Sequence, residues 1–187
     1  MLHDRTDAHH DLTWLIGACA RDLMKRGRNP GVMDMLKGLS AHDFSAAALR
    51  PVPAARANAC EALPEAVTAA VAHAGETASA LAAAHDRLPW REEAPGHARA
   101  RVLGPDAPMH ARDDVLALHL LLADHVMELA ASPRDRLFFA LTGPSRWRSE
   151  GAALLALAGG QTLFIEAGHE VRAIAGGEPL LVVEISA

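Results

Sequence analysis

Residues 152–185 read AALLALAGGQTLFIEAGHEVRAIAGGEPLLVVEI. Apolar residues fall there in segments of six or seven, cut by Gly159-Gly160, Gly168 and Gly176-Gly177. Glycines at that spacing divide a chain into short strands joined by tight turns. Ala152–Ala158, Gln161–Glu166, His169–Ile174 and Pro179–Ile185 are therefore expected to be β-strands. The pattern extends back to His97, with further strands at His97–Leu103, Asp114–Ala123, Val126–Leu129, Arg136–Thr142 and Arg146–Glu150. Gly104-Pro105, Ser132-Pro133 and Gly143-Pro144 separate them. Many short strands with Gly/Pro turns specify a sandwich or a barrel, and closure into a barrel removes the exposed edges.

Upstream of His97 the period changes from two to that of a helix. Leu12, Leu15, Ile16, Cys19, Leu23 and Met24 form an apolar stripe, with Asp11 as the expected N-cap, cations at Lys25 and Arg26, and Gly27 as the end. A shorter helix is expected from Pro30, and an irregular connection from Phe44 to Ala59. Pro64-Glu65 then opens a long Ala-rich helix expected to run unbroken to about Asp86. The organisation expected is mainly β with an α N-terminal region: helices over residues 1–90, packed as a layer on a barrel formed by 91–187.

The 187 residues carry a formal charge of −5, and half of them are hydrophobic, with no Tyr. Phenolic acid–base chemistry is thereby excluded. With no Lys/Arg run there is no positive footprint for nucleic acid. Cys19 and Cys60 stand alone, without the spacing of a zinc knuckle or redox pair. The first residues show no signal-peptide pattern, and the most apolar run, Leu116–Ala123, is too short for a membrane span. A cytoplasmic protein without membrane contact is expected.

The second half resembles the cupins, small jelly-roll barrels. Their second motif, Gly, five residues, Pro-x-Gly and a closely following His, is matched by Gly160, Glu166, Gly168 and His169, with Glu166 in place of Pro. Ala62-Leu63-Pro64, Leu88-Pro89-Trp90, Val102-Leu103-Gly104-Pro105, the strand Val115–Leu122, Leu137–Gly143 with Trp147, and Glu178-Pro179-Leu180-Leu181 extend the match in order. That series resembles the cupin family of dimethylsulfoniopropionate (DMSP) lyases.

The resemblance implies a divalent metal, Zn, Fe, Mn or Ni, held by a His-x-His pair, a Glu and a second-motif His. The metal would hold the substrate carboxylate while a base, often Tyr, drives β-elimination to dimethyl sulfide and acrylate. In this chain the His-x-His pair falls on Ala130 and Ser132, the Glu on Arg136, and the tyrosines on Met127 and Phe138. His169 alone keeps its identity.

Two functions follow as expectations. In the first, the protein is a DMSP lyase-like cupin that has lost metal-dependent elimination and serves as a small-molecule-binding or structural module without a resident cofactor. Its candidate ligand-binding residues are Arg136 and Trp147, and its ligand is a small, anionic molecule. In the second, it is an active carbon–sulfur lyase whose metal uses a rearranged set of His125, Glu128 and His169, near Asp124. Against that set, His125 and Glu128 also read as a solvated turn, and Arg136 with Arg134 and Asp135 as a solvated hairpin cluster. His119 reads as a hydrogen-bonded core imidazole, Asp113-Asp114 as the opening of a strand, and His9-His10 with Asp7 as part of a mobile N-terminus. A homodimer is expected, and a regulatory role for the helices over residues 1–60 stands as a third possibility.

Overall fold

A computed structural model of the chain describes residues 2–26, 30–40, 49–50, 57–113 and 115–186. Among these residues four α-helices, α1 (Leu2–Met24), α2 (Pro30–Ser40), α3 (Leu63–Ala70) and α4 (Gly75–Ala84), precede eleven strands. The strands are β1 (Arg91–Ala94), β2 (His97–Gly104), β3 (Met109–His110), β4 (Leu116–Leu121), β5 (Val126–Leu129) and β6 (Arg136–Ala140). They continue as β7 (Ser145–Ser149), β8 (Leu155–Leu157), β9 (Thr162–Ile165), β10 (Val171–Ala175) and β11 (Leu180–Ser186). The larger sheet runs β1-β2-β4-β11-β6-β9, with β3 beside β2, and the smaller runs β5-β10-β7-β8.

The two sheets face each other as a jelly-roll barrel, because the larger sheet is apolar on both faces. Its inner residues Leu121, Phe138, Leu180 and Val182 pack with Met127, Trp147, Val171 and Ala173 of the smaller sheet. Its outer residues, among them Ala98, Ala100, Leu118, Leu120, Phe139 and Val183, pack with Leu12, Leu15, Leu81 and other helix residues. A strand buried on both sides reads as a continuous apolar run, and Leu116–Leu121 does so apart from His119.

One tie joins the end of α1 to the barrel. Arg26 lies over the Phe139 ring at 5.6 Å, and its Nη1 donates to the Gly160 carbonyl at 2.8 Å. Nη2 donates to the His73 carbonyl. Gly160 holds φ +84°, and a side chain there would collide with the guanidinium, so the Gly159-Gly160 turn needs glycine twice over.

Three expectations are corrected. Asp11 is not an N-cap: nothing in Leu2–His10 breaks a helix, α1 already runs from Leu2 through the segment expected to be mobile, and Asp11 pairs with Arg87 at 3.3 Å. The long helix is interrupted at Ala74 (φ −149°, ψ 63°), so α3 and α4 are separate. No local side chain caps α4. The buried Asp22 of α1 does so, its Oδ2 accepting from both the backbone N–H and the hydroxyl of Thr77 at 2.9 Å. β1 and β3 were not expected, because Arg-Glu-Glu-Ala is exposed throughout and Met109–His110 is too short to show a period. The expected Phe44–Ala59 connection lies mostly outside the described residues, as do Gly27 and Asp114. Leu49 bridges Met109, and Asn58–Ala62 form a 3₁₀ turn.

Candidate functional site

Four adjacent strands of the larger sheet bring polar side chains to its inner face: His97 and Arg99 from β2, His119 from β4, Glu184 from β11 and Arg136 from β6. Strand alternation places them there, since their neighbours Ala98, Leu118, Leu120, Val183 and Leu137 face the helices. Register sets their order, with Arg99 opposite His119, His119 opposite Val182, and Ser186 opposite Arg136.

Glu184 is the hub. Its Oε2 accepts from His119 Nε2 at 2.8 Å and from Arg99 Nη2 at 3.0 Å, and His119 Nδ1 lies 3.0 Å from His97 Nε2. When His119 is neutral, the carboxylate fixes its proton on Nε2, which leaves Nδ1 to accept from His97. The two imidazoles stack at 5.3 Å. Burial alone would raise the Glu184 carboxyl; the hydrogen bond from His119 and the charges of His119, Arg99 and Arg136 outweigh it and hold the group down to about 2. Burial, with His119 and Arg99 adding to it, pushes the His97 imidazole down to about 3.

Arg136 is 4% exposed. Its Nη2 donates to the His169 carbonyl at 2.6 Å, and its guanidinium lies 5.8 Å from the Phe138 ring centroid. The Nε atoms of Arg136 and Arg99 are both buried without a hydrogen-bond partner. The two arginines and Glu184 line one cavity of about 400 Å³ together with Ala130, Ser132 and Arg134. Arg134 pairs with Asp113 on the wall of that cavity at 2.6 Å. The solvated-hairpin alternative for Arg136 is therefore corrected, because strand alternation turns its side chain inward next to Phe138.

The other candidates are dispersed. Trp147 is buried, donates from Nε1 to Ser145 Oγ at 2.8 Å, and packs on Phe138 at 5.1 Å. It lines a second cavity of about 310 Å³ with His169, whose side chain is exposed. His125 packs over Gly96, its Nδ1 2.9 Å from the Ala123 carbonyl. Glu128 is exposed on the outside of the smaller sheet and pairs with Arg172 at 3.4 Å. The His125 carbonyl meets the Ala175 N–H at the far end of β10, whereas His169 lies outside that strand, before its first residue Val171. His125, Glu128 and His169 are thus not brought to a common point.

Nor do the positions matching the family ligands fit a dication. Ala130 has no donor atom, and the Ser132 hydroxyl accepts from the Arg134 N–H at 3.1 Å. Arg136 is cationic and is met by the His169 backbone carbonyl. Glu184, which lines the same cavity, is engaged by His119 and Arg99. Among the described residues no three His, Cys, Asp or Glu side chains are grouped to hold an ion. Sequence reasoning found His119 and Arg136 but missed His97, Arg99 and Glu184. The available signal was a lone Glu in the apolar strand Leu180–Ser186, since an unpaired carboxylate is almost never fully buried.

Among the described residues no helix is long and apolar enough to cross a membrane. A search of curated sequences finds no match. Among solved structures, a chain from the crystal structures of the DMSP lyases RdDddP and RnDddQII superposes with a TM-score of 0.68 at 14% identity, over 96% of this chain and 93% of that one. The DMSP lyase DddQ from Ruegeria pomeroyi DSS-3 gives 0.63 at 18% identity, over 93% and 91%. At such identities the likeness establishes the fold. The sequence model of the dimethylsulfoniopropionate lyase family matches residues 39–182, most of the chain. The protein belongs to the DMSP lyase family of cupins.

Proposed function

We propose that this protein is a DMSP lyase-family cupin without metal-dependent β-elimination, acting in the cytoplasm as a small-molecule-binding module. The observation that carries the reading is Arg136, a buried guanidinium at the position where the family's metal-binding carboxylate would stand. A cation fixed there repels a second cation and offers N–H donors where a metal would need lone pairs. The absence of tyrosine removes the phenolic base as well. The ligand expected in such a cavity is small and anionic.

The test is metal content of the purified protein by plasma mass spectrometry, with headspace assay of dimethyl sulfide from DMSP after addition of Mn, Fe, Zn or Ni. The reading expects substoichiometric metal and no release above the metal-only blank. Stoichiometric metal with release that disappears in His169→Ala would overturn it in favour of an active carbon–sulfur lyase.

A further inference from the structure

We infer that the cavity beneath Arg136 receives one small monocarboxylate, clamped by the guanidiniums of Arg136 and Arg99. The inference rests on the metal-free reading above and gives its ligand a charge and a shape.

The charge follows from the cavity wall. Three guanidiniums, Arg99, Arg134 and Arg136, face two carboxylates, Asp113 and Glu184. Arg134 is matched by Asp113 at 2.6 Å, and Arg99 by Glu184 at 3.0 Å. Arg136 has a neutral hydrogen-bond partner, the His169 carbonyl, and shares through space the Glu184 charge that Arg99 already pairs with. Among the described residues the wall thus carries one positive charge in excess, and Arg136 is 4% exposed. Charges so withdrawn from water call for a counterion. A monoanion balances this wall, whereas a dianion would set excess negative charge against Glu184.

The shape follows from the donors. The buried Nε of Arg136 and that of Arg99 lack acceptors, and both side chains line this one cavity. A planar two-oxygen group is what a guanidinium fork donates to side-on. Glu184 is held by its Oε2, which accepts from both His119 and Arg99, with His97 behind His119, and among the described hydrogen bonds it makes none to Arg136. The rest of the wall includes Leu129, Ala130 and Pro133, an apolar side suited to a short aliphatic group. A volume of about 400 Å³ leaves room for a ligand of a few heavy atoms.

The experiment is isothermal titration at pH 7 and constant ionic strength, with sodium propionate, propionamide, succinate and inorganic phosphate as probes. The expected result is saturable one-to-one binding of propionate. Succinate and phosphate should bind at least tenfold more weakly, and propionamide should give no heat. Arg136→Gln should weaken propionate at least tenfold, and Arg136→Lys, which keeps the charge and loses the fork, should fall between. The ranking of probes on the parent protein tests the clamp even if a variant fails to fold. Absence of saturable propionate binding, equal binding of propionamide, or preference for phosphate would overturn the inference. Repeating the titration after EDTA separates the two readings: unchanged binding supports the clamp, whereas binding that needs added Mn or Zn overturns the clamp and the metal-free reading together. Metal-dependent dimethyl sulfide release alongside unchanged propionate affinity after EDTA would overturn only the metal-free reading and leave the clamp supported.

Discussion

Glu184→Gln is the most direct probe of the barrel interior. The substitution keeps the size of the side chain and removes its charge, leaving Arg99 without its carboxylate and Arg136 with one like-charged neighbour fewer balanced. Glu184 sits at about 2 in the fold against an ordinary 4.5. At about 1.4 kcal/mol per pH unit that gap is worth about 3 kcal/mol in favour of the ionised, folded form. Removing one member of a buried ion pair generally costs about 3–5 kcal/mol, because the remaining charge stays dehydrated and unmatched. The two routes agree on roughly 3 kcal/mol, a large share of the 5–15 kcal/mol that holds a typical domain together. Urea unfolding at pH 7, followed by tryptophan fluorescence, reads the loss as a lowered midpoint at constant slope. The double variant Glu184→Gln/Arg99→Gln should recover part of that loss, since it withdraws the stranded charge. A single variant within about 1 kcal/mol of the parent, or a double variant whose losses simply add, would refute the picture of Glu184 as the hub.

Acid should weaken the fold early. The His97 imidazole is held at about 3 against an ordinary 6.5, so between those values the unfolded chain binds a proton that the native protein does not. Stability is then full above pH 6.5 and falls toward pH 3 with a slope approaching ~1.4 kcal/mol per pH unit; urea midpoints at pH 7, 6 and 5 should show it, and an unchanged slope in His97→Gln would contradict it. Asp22→Ala should cost about 1–3 kcal/mol by leaving the Thr77 N–H and hydroxyl buried without an acceptor, with Asp22→Asn losing less in the same unfolding assay. Gly96→Val should destabilise by more than 1 kcal/mol, because Gly96 holds φ +72° and a side chain there runs into the His125 ring; His125→Ala in the same chain should recover the collision part only, as thermal melts would show. Finally, Ala130→His/Ser132→His/Arg136→Glu restores the donors that the family resemblance implies, and that variant should take up stoichiometric Zn or Mn where the parent does not.

The fold was legible wherever local chemistry and burial agree. The Gly-punctuated segments from His97 to Ile185 became strands because most turns there carry glycine or proline, with Asp124 at φ 61° taking that place between β4 and β5, and most strands bury one face. The break between α3 and α4 left only Gly75 as a local trace in an Ala-rich run, and the carboxylate that caps α4 comes from another helix. Asp11 misled for the opposite reason: a good local cap was overruled by helix-competent residues before it and by Arg87 across the chain. At the site, Arg136 stood out only against the family pattern. His97, Arg99 and Glu184 come from strands far apart in sequence, and only the pairing order β2-β4-β11-β6 makes them neighbours.

Charge links what the family resemblance implies to what the barrel contains. A divalent metal with one Glu and three neutral His carries a net charge of about +1 once its ligands are counted. The cavity wall here carries three guanidiniums and two carboxylates, again +1. An anionic ligand entering either site meets the same sign and size of charge, so attraction survives the exchange of donors. What does not survive is polarisation. A metal draws electron density through a bond to the substrate oxygen, whereas a guanidinium acts on a carboxylate through hydrogen bonds and charge alone. Interactions equal in both states hold a ligand without accelerating its reaction. On the proposed reading, Arg136 holds an anion in place of the metal, and the missing phenol leaves that anion without the base the family resemblance implies.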